Sequence, residues 1–196
     1  MINAMRQEKP MQRYARALTG RPLFWIALVG AVAALPIVWA MRAPVPGPLP
    51  VIATLPRFEL LDQRGVAFGS KDLDGRVWVA SFICTRCATV CPLVTATMAR
   101  VQGRTRQLFP DFHLVSFSVD PDHDTPARLG EYARAHHASP RAWTFVTGTP
   151  ADGMFHTSRL ALVDREGRVR GYYDSTEEHD VDRLMRDVGW LVNRGR

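Results

Sequence analysis

The sequence predicts an α/β domain with a mixed sheet, preceded by a single N-terminal transmembrane helix. Two observations predict this architecture. Residues 22–41 form an uncharged apolar run between Arg21 and Arg42, and from residue 57 onward strand-like and helix-like segments alternate along the chain. With 196 residues, the chain is long enough for one ordinary domain and an appendage. Its three cysteines are too few for a disulfide-dense scaffold.

The apolar run has the length of a membrane span, since twenty helical residues cover about 30 Å of hydrocarbon. Five basic residues precede it. The positive-inside rule therefore places residues 1–21 in the cytoplasm as a basic tail, and everything after the run on the periplasmic or extracytoplasmic side of the inner (plasma) membrane. A cleaved signal peptide and a buried core helix are the alternatives, but the run exceeds the usual h-region of about 7–15 residues.

The positive charge is concentrated at the N-terminus. The chain carries a net +6, yet residues 1–42 hold six basic residues and one acidic residue, which leaves 19 basic and 18 acidic residues elsewhere. A nearly neutral domain has no field to attract phosphates, so we expect no nucleic-acid partner. Five prolines in residues 42–56 predict a stiff, extended linker that leads to a domain of residues 57–196.

The first half of that domain is predicted to contain two strands followed by a helix. A strand at 58–61 ends in a turn rich in polar residues and glycine. The β-branched and aromatic run 76–84 predicts a buried central strand. Pro92 suits the first turn of a helix that extends toward Pro110, because the N–H that proline lacks has no partner there.

The second half continues the alternation. A buried strand at 113–119 is followed by a helix with Thr125 as its N-cap and Pro126 as its first residue. Residues 143–147 predict a third strand, and 159–173 predict a β-hairpin. The chain ends in an amphipathic helix whose apolar face is formed by Val181, Leu184, Met185, Val188, Leu191 and Val192.

All three cysteines lie where the strand 76–84 ends and the next helix begins, at the carboxyl edge of the sheet, where α/β proteins place their sites. Cys87 and Cys91 are four residues apart, so one helical turn would bring both sulfurs to one face. Such a pair suits a disulfide, or Cu(I) or zinc with an imidazole as third ligand. An inert disulfide is the alternative, although so short a loop stabilises little. We interpret Cys84 as a small packed hydrophobe.

Four segments, in order, resemble motifs of the Sco/SenC family. They are FICTRCATVCP at 82–92, SVDPDHDTP at 118–126, WTFVTG at 143–148, and the stretch from His156-Thr157-Ser158 through Leu162-Val163-Asp164 to Gly167. The resemblance covers about residues 56–191. It implies a membrane-anchored, thioredoxin-like domain that binds copper and helps to assemble the binuclear copper centre of cytochrome c oxidase. The copper-centre subunit of that oxidase is then the expected partner.

The resemblance implies that Cys87, Cys91 and His156 are the copper ligands. Without it, the six histidines could not be separated, and His123, in the loop after the strand 113–119, is the second choice for the imidazole. The remaining candidates are interpreted as surface residues; they are His113, His136, His137 and His179. Asp120 is interpreted mainly as a turn residue, with a role in orienting a ligand or meeting a partner as the alternative.

Two features depart from the family pattern. Only residues 149–155 separate Gly148 from His156, and a parallel crossover needs about a dozen residues or more. The strand near Leu160 is therefore expected to run antiparallel to the one near Phe145, or to meet it by a tight turn. The second departure is Cys84, a third thiol that could exchange disulfides with Cys87.

The sequence is compatible with three functions. The first is copper delivery to the oxidase. The second is an enzymatic role as a thiol–disulfide reductase, with Cys87 and Cys91 as the redox pair, which would keep the oxidase cysteines reduced. The third is a peroxidase of the peroxiredoxin type, suggested by Thr89 before Cys91. Those enzymes place the threonine three residues before the cysteine rather than two, so this function is the least favoured.

Overall fold

The structure is a computed structural model that describes residues 22–42, 49–148 and 158–194. The basic tail 1–21 and the predicted copper ligand His156 lie outside the described residues. The chain divides into two compact units, Met1–Gly47 and Pro48–Arg196, and each is considered by itself.

In the first unit, Pro22–Arg42 forms helix α1, which is 21 residues long. Exposed apolar side chains on it include Trp25, Ile26 and Val29. Counting only the residues that are described, no helix reaches the length and apolar character that crossing a membrane requires. The membrane anchor remains a prediction from the sequence.

The second unit is built on one eight-stranded sheet. Its strands, in their side-by-side order, are β1 (Ala53–Thr54), β8 (Arg168–Asp174), β7 (Arg159–Val163), β4 (Val77–Ile83), β5 (Phe112–Ser118), β6 (Trp143–Thr147), β2 (Glu59–Asp62) and β3 (Ala67–Gly69). Strands β4, β5 and β6 are parallel, and their neighbours β7 and β2 are antiparallel to them. The α/β class and the mixed sheet are confirmed. Strand β1 falls within the predicted linker 42–56 and pairs with β8, so the end of that segment joins the sheet.

Among the described residues, three α-helices accompany the sheet: α2 (Val90–Arg104), α3 (Pro126–Ala135) and α4 (Glu178–Arg194). The hydroxyl of Thr125 accepts the backbone N–H of Arg128 at 3.4 Å, and Pro126 opens α3, which confirms the predicted cap. The apolar faces of all three helices belong to one buried cluster, shared with alternate residues of the central strands.

The two faces of strand β4 pack against different partners. Val77, Val79 and Ile83 contribute to the cluster that contains the helices. Trp78 and Ala80 point to the opposite face and belong to a second buried cluster, against which Phe58, Leu60 and Phe68 from the N-terminal part of the domain pack, among others. The central strand is thus buried on both sides, as its continuous apolar sequence predicts.

The connection from β6 to β7 decides between the two expected arrangements, and the antiparallel one is confirmed. Strand β7 runs antiparallel to β6, as predicted, but the two are not joined by a tight turn, because β5 and β4 lie between them. Three strand spacings amount to about 14 Å, and a chain of nine residues can reach about 30 Å. Residues 149–157 are therefore long enough for the step. No helical crossover is needed, since an antiparallel strand starts at the edge where β6 ends.

His113 is a second correction, since it is not a surface residue. It lies in β5, is only 4% exposed, and its Nε2 is 2.9 Å from the hydroxyl of Thr144. Its ring also stacks on Phe68, with a centroid distance of 6.2 Å. The sequence interpretation failed because β5 is paired on both edges and every one of its residues is buried.

Candidate metal site

The three cysteines meet at the carboxyl edge of the sheet. Strand β4 ends at Ile83, so Cys84 is the first residue beyond it, Cys87 lies in the following loop, and Cys91 is the second residue of α2. Their Sγ atoms all lie within 4.8 Å of one another. Cys84 and Cys91 are buried, whereas Cys87 is partly exposed, and all three are free thiols.

This geometry corrects the way in which Cys87 and Cys91 were expected to meet. Helix α2 starts at Val90, so Cys87 is not helical and the two cysteines do not share a helical turn. Pro92 lies in the first turn of α2, where the first four N–H groups have no helical partner. The loop rather than the helix therefore carries Cys87 back toward Cys91.

Backbone groups tie the cysteines together. The N–H of Cys84 donates to Sγ of Cys91 at 3.2 Å, and the N–H of Cys87 donates to the carbonyl of Cys84 at 3.3 Å. The first turn of α2 contains no acidic residue, so no carboxylate of that turn offsets the partial positive charge of the helix N-terminus. Such surroundings favour thiolate over thiol at an exposed position.

The three thiols differ in acidity. Hydrogen bonds from the side chains of Cys91 and Cys84, followed by a backbone hydrogen bond of Cys91, lower the pKa of Cys87. Burial is the largest cause that raises the pKa of Cys91, and burial raises the pKa of Cys84 to about 12. Cys87 is therefore the thiol that ionises first, and it is also the one that solvent reaches.

Asp124 is a residue whose role sequence reasoning missed. Its carboxylate is fully buried and accepts the backbone N–H of Thr85 at 3.1 Å, the hydroxyl of Thr85 at 2.5 Å and the hydroxyl of Ser118 at 2.7 Å. It thereby fixes the segment between Cys84 and Cys87 to the end of β5. The available signal was its place in the segment SVDPDHDTP at 118–126.

Asp120 lies at the same edge but does not belong to the cysteine cluster. Its Oδ2 is 2.7 Å from Nε of Arg86, the residue that precedes Cys87. Its side chain is 16% exposed and that of Arg86 is 67% exposed. Asp120 thus contacts the cysteine loop through Arg86, and the alternative role in orienting a ligand or meeting a partner remains a prediction.

The predicted ligand His156 lies outside the described residues. The described residues on either side of it are informative. Gly148 follows β6, and Ser158 precedes β7, which begins at the edge where β4 and β6 end because it is antiparallel to them. The segment that contains His156 therefore starts and finishes at the sheet edge that carries the cysteines.

The second choice, His123, is not part of the sulfur cluster. Its backbone N–H donates to the carbonyl of Asp120 at 3.1 Å in the turn before α3. In the portion of the chain that the structure describes, Cys84, Cys87 and Cys91 make up the group able to hold a metal ion. Soft sulfur ligands of this kind select Cu(I) or zinc over hard cations such as Mg²⁺.

Comparisons with known proteins show the family of the chain. The family model described as SCO1/SenC matches residues 50–153. The SCO1 protein homolog of Bacillus subtilis is 31% identical over 152 residues, which are 67% of this chain and 79% of that protein.

Two solved structures extend the comparison. BsSco, described as a member of the Sco family of cytochrome c oxidase assembly proteins with a disulfide switch, is 30% identical with a TM-score of 0.65, over 76% of this chain and 98% of that one. Bradyrhizobium japonicum ScoI with copper bound is 25% identical with a TM-score of 0.52, over 68% of this chain and 99% of that one. The thioredoxin-like fold expected from the resemblance is thereby confirmed. With its motif cysteines gathered at one sheet edge, this chain is a member of the SCO1/SenC family.

Proposed function

We propose that this chain binds copper through Cys87, Cys91 and His156 and delivers it to the copper-centre subunit of cytochrome c oxidase during assembly of the binuclear centre. The observation that carries the proposal is the sulfur cluster at the edge of the sheet, with one partly exposed thiol and two buried ones. Two comparisons support it. ScoI of Bradyrhizobium japonicum holds copper, and BsSco belongs to a family of oxidase assembly proteins.

The arrangement suits transfer as well as binding. Cys87 is open to a partner, so an incoming thiolate can bond to the copper while the bond to Cys87 breaks. Copper keeps its soft ligands throughout such an exchange, and no free ion is released into water. The predicted anchor at residues 22–41, with the domain on the extracytoplasmic side, would hold the donor beside a membrane-bound recipient.

A competition titration tests the proposal. The reduced full chain, in detergent, is titrated with Cu(I) against a chelator of known affinity. We expect Cys87→Ser and Cys91→Ser each to weaken binding by at least about 10–100-fold, because loss of even an outer-shell group costs about that much. The matched control is Thr89→Ser, an exposed residue of the same loop, which should bind as the unaltered chain does. If both cysteine variants also retain that affinity, the proposal is wrong.

A second function is favoured by the acidity of Cys87. A partly exposed thiol with a lowered pKa, beside a buried thiol with a raised one, is the arrangement of a dithiol reductant. The Cys87 thiolate would attack a disulfide of the partner and form a mixed disulfide, and Cys91 would then displace the partner thiol, leaving the partner reduced and the pair oxidised.

His156 distinguishes the two functions. We expect His156→Ala to leave dithiol exchange with an oxidised peptide unchanged, since no step of that exchange uses an imidazole. Release of thiols from the peptide measures the exchange. A chain that releases none under any condition excludes the reductase function.

A further inference from the structure

Cys91 is held at its sulfur as well as at its backbone. Its Sγ accepts the N–H of Cys84 at 3.2 Å. Its carbonyl accepts the hydroxyl of Thr95, which lies one helical turn further along α2, at 2.8 Å. Cys91 and Thr95 are both buried, whereas Cys87 lies in the loop before the helix and is partly exposed. Of the two ligand cysteines, Cys91 is therefore the one suited to retain an ion.

A tyrosine on α3 extends the contact between Thr95 and Cys91. The hydroxyl of Tyr132 lies 2.8 Å from Oγ1 of Thr95. A threonine hydroxyl has a single proton, and that of Thr95 is donated to the carbonyl of Cys91. The Tyr132 hydroxyl must then be the donor to Thr95, since a phenol keeps its proton at neutral pH. The hydrogen bonds run in one direction, from Tyr132 through Thr95 to Cys91.

We propose that Tyr132 is a positioning residue for copper. Through Thr95 it holds Cys91 as the ligand that retains the ion while Cys87 exchanges with the recipient. The inference rests on the proposed copper-binding function and specifies how one of its ligands is kept in place. Hydrogen bonds in a chain strengthen one another, and groups that orient a metal ligand from outside the coordination sphere support metal affinity.

The position of the Tyr132 ring does not depend on its hydroxyl. The ring packs edge-on against Phe145 with a centroid distance of 6.1 Å, and its centroid lies 4.4 Å from that of His136. The segment before α3 is tied to the cysteine loop as well, because Asp124 accepts the N–H of Thr85. Tyr132→Phe therefore removes the hydrogen bond to Thr95 and keeps the packing of the ring.

A Cu(I) competition titration of the reduced full chain, in detergent, tests the inference. We expect Tyr132→Phe and Thr95→Val each to weaken Cu(I) binding by about three- to tenfold, the effect of roughly one net hydrogen bond. The double variant should bind no more weakly than Thr95→Val alone, because both substitutions break the same chain. Thr95→Ser, which restores the hydroxyl, should recover most of the affinity that Thr95→Val loses.

Tyr173→Phe is the matched control. It also removes a buried tyrosine hydroxyl, which donates to Asp187 on α4 at 2.7 Å, so it should lower the stability of the domain and leave Cu(I) affinity unaltered. Absorption of the Cu(II)-loaded chain gives a second measurement that lower stability alone does not change. We expect the sulfur-to-copper charge-transfer band to shift in Tyr132→Phe, because the Cys91 sulfur is held less firmly, and to stay in place in Tyr173→Phe.

The outcomes separate the inference from the function on which it rests. If Tyr132→Phe binds Cu(I) as the unaltered chain does and keeps its absorption band, Tyr132 only packs against its neighbours and the inference is overturned. Losses of affinity that add in the double variant would overturn it too, since Tyr132 would then not act through Thr95. If the unaltered chain binds no copper, the proposed function itself fails.

Discussion

At the scale of single residues, the surroundings of His113 produce a pH dependence that its position in the sequence did not indicate. The ring is buried in β5 beside Thr144 and Phe68. Burial, with the charge of Arg76 as a smaller cause, lowers the pKa of His113 to about 4. The unfolded chain, in which a histidine titrates near 6.5, therefore binds this proton more tightly than the folded domain does.

The stability of the domain should consequently fall on acidification. Above about pH 6.5, His113 is neutral in both states and does not change the free energy of unfolding as the pH varies. Between about pH 6.5 and 4, the unfolded state gains a proton that the folded state lacks, so the free energy of unfolding decreases by up to about 3 kcal/mol. His136, whose pKa burial also lowers, acts in the same direction.

Urea unfolding of the full chain between pH 7.5 and 4 measures this loss. In His113→Gln, whose amide can still reach the hydroxyl of Thr144, we expect a clearly flatter dependence on pH. His179→Gln is the control, since His179 is exposed at the start of α4, and it should keep the slope of the unaltered chain. An equal slope in His113→Gln would show that His113 does not cause the loss.

At the scale of elements, Asp124 joins the two loops that form the site. One carboxylate on the loop before α3 holds the backbone and hydroxyl of Thr85 in the loop after β4, together with Ser118 at the end of β5. The parallel pairing of β4 with β5, which reaches Ile83 and Ser118, brings these loops to the same edge. The position of Cys84 and Cys87 thus depends on a residue that carries no sulfur.

We expect Asp124→Ala to destabilise the domain by about 1–3 kcal/mol for each buried donor left without a partner. It should also weaken Cu(I) binding, because the cysteine loop loses its attachment to β5. Urea unfolding and a Cu(I) competition titration measure the two effects. Asp122→Ala, an exposed acidic residue in the same loop, is the matched control and should change neither. Unaltered copper affinity in a folded Asp124→Ala chain would contradict the role of this attachment.

Elements whose signals are local were predicted well from the sequence. Strand β6 coincides with the predicted residues 143–147, since its apolar and β-branched run is sharply bounded. Helix α3 begins at Pro126, because Thr125 and Pro126 together define a helix start. The hairpin of β7 and β8 follows from the glycine turn between two strand-like runs.

Features that depend on distant partners were not predictable in this way. The pairing of β1 with β8 is set by the sheet edge that β8 leaves open, not by the sequence of residues 53 and 54. Cys84 continues the alternation of β4 in the sequence, and only the end of the ladder at Ile83 reveals that it belongs to the loop. The hydrogen bond that the N–H of Thr85 donates to the carboxylate of Asp124 joins residues 39 positions apart.

At the scale of the whole molecule, the residues of the candidate metal site lie at one edge of the sheet. The parallel strands β4 and β5 end there, helix α2 begins there, and the segment between Gly148 and Ser158 starts and finishes there. Two buried apolar clusters pack on the faces of the sheet that carries this edge. A partly exposed sulfur at this edge is consistent with the copper transfer that we propose.

We expect this edge of the sheet to hold one copper ion through its sulfurs. The most direct measurement is native mass spectrometry of the full chain in detergent, after loading with Cu(I) and removal of unbound metal. We expect one copper per chain, and none in a variant that combines Cys87→Ser with Cys91→Ser. A copper-free unaltered chain, or a double variant that retains its copper, would contradict the account.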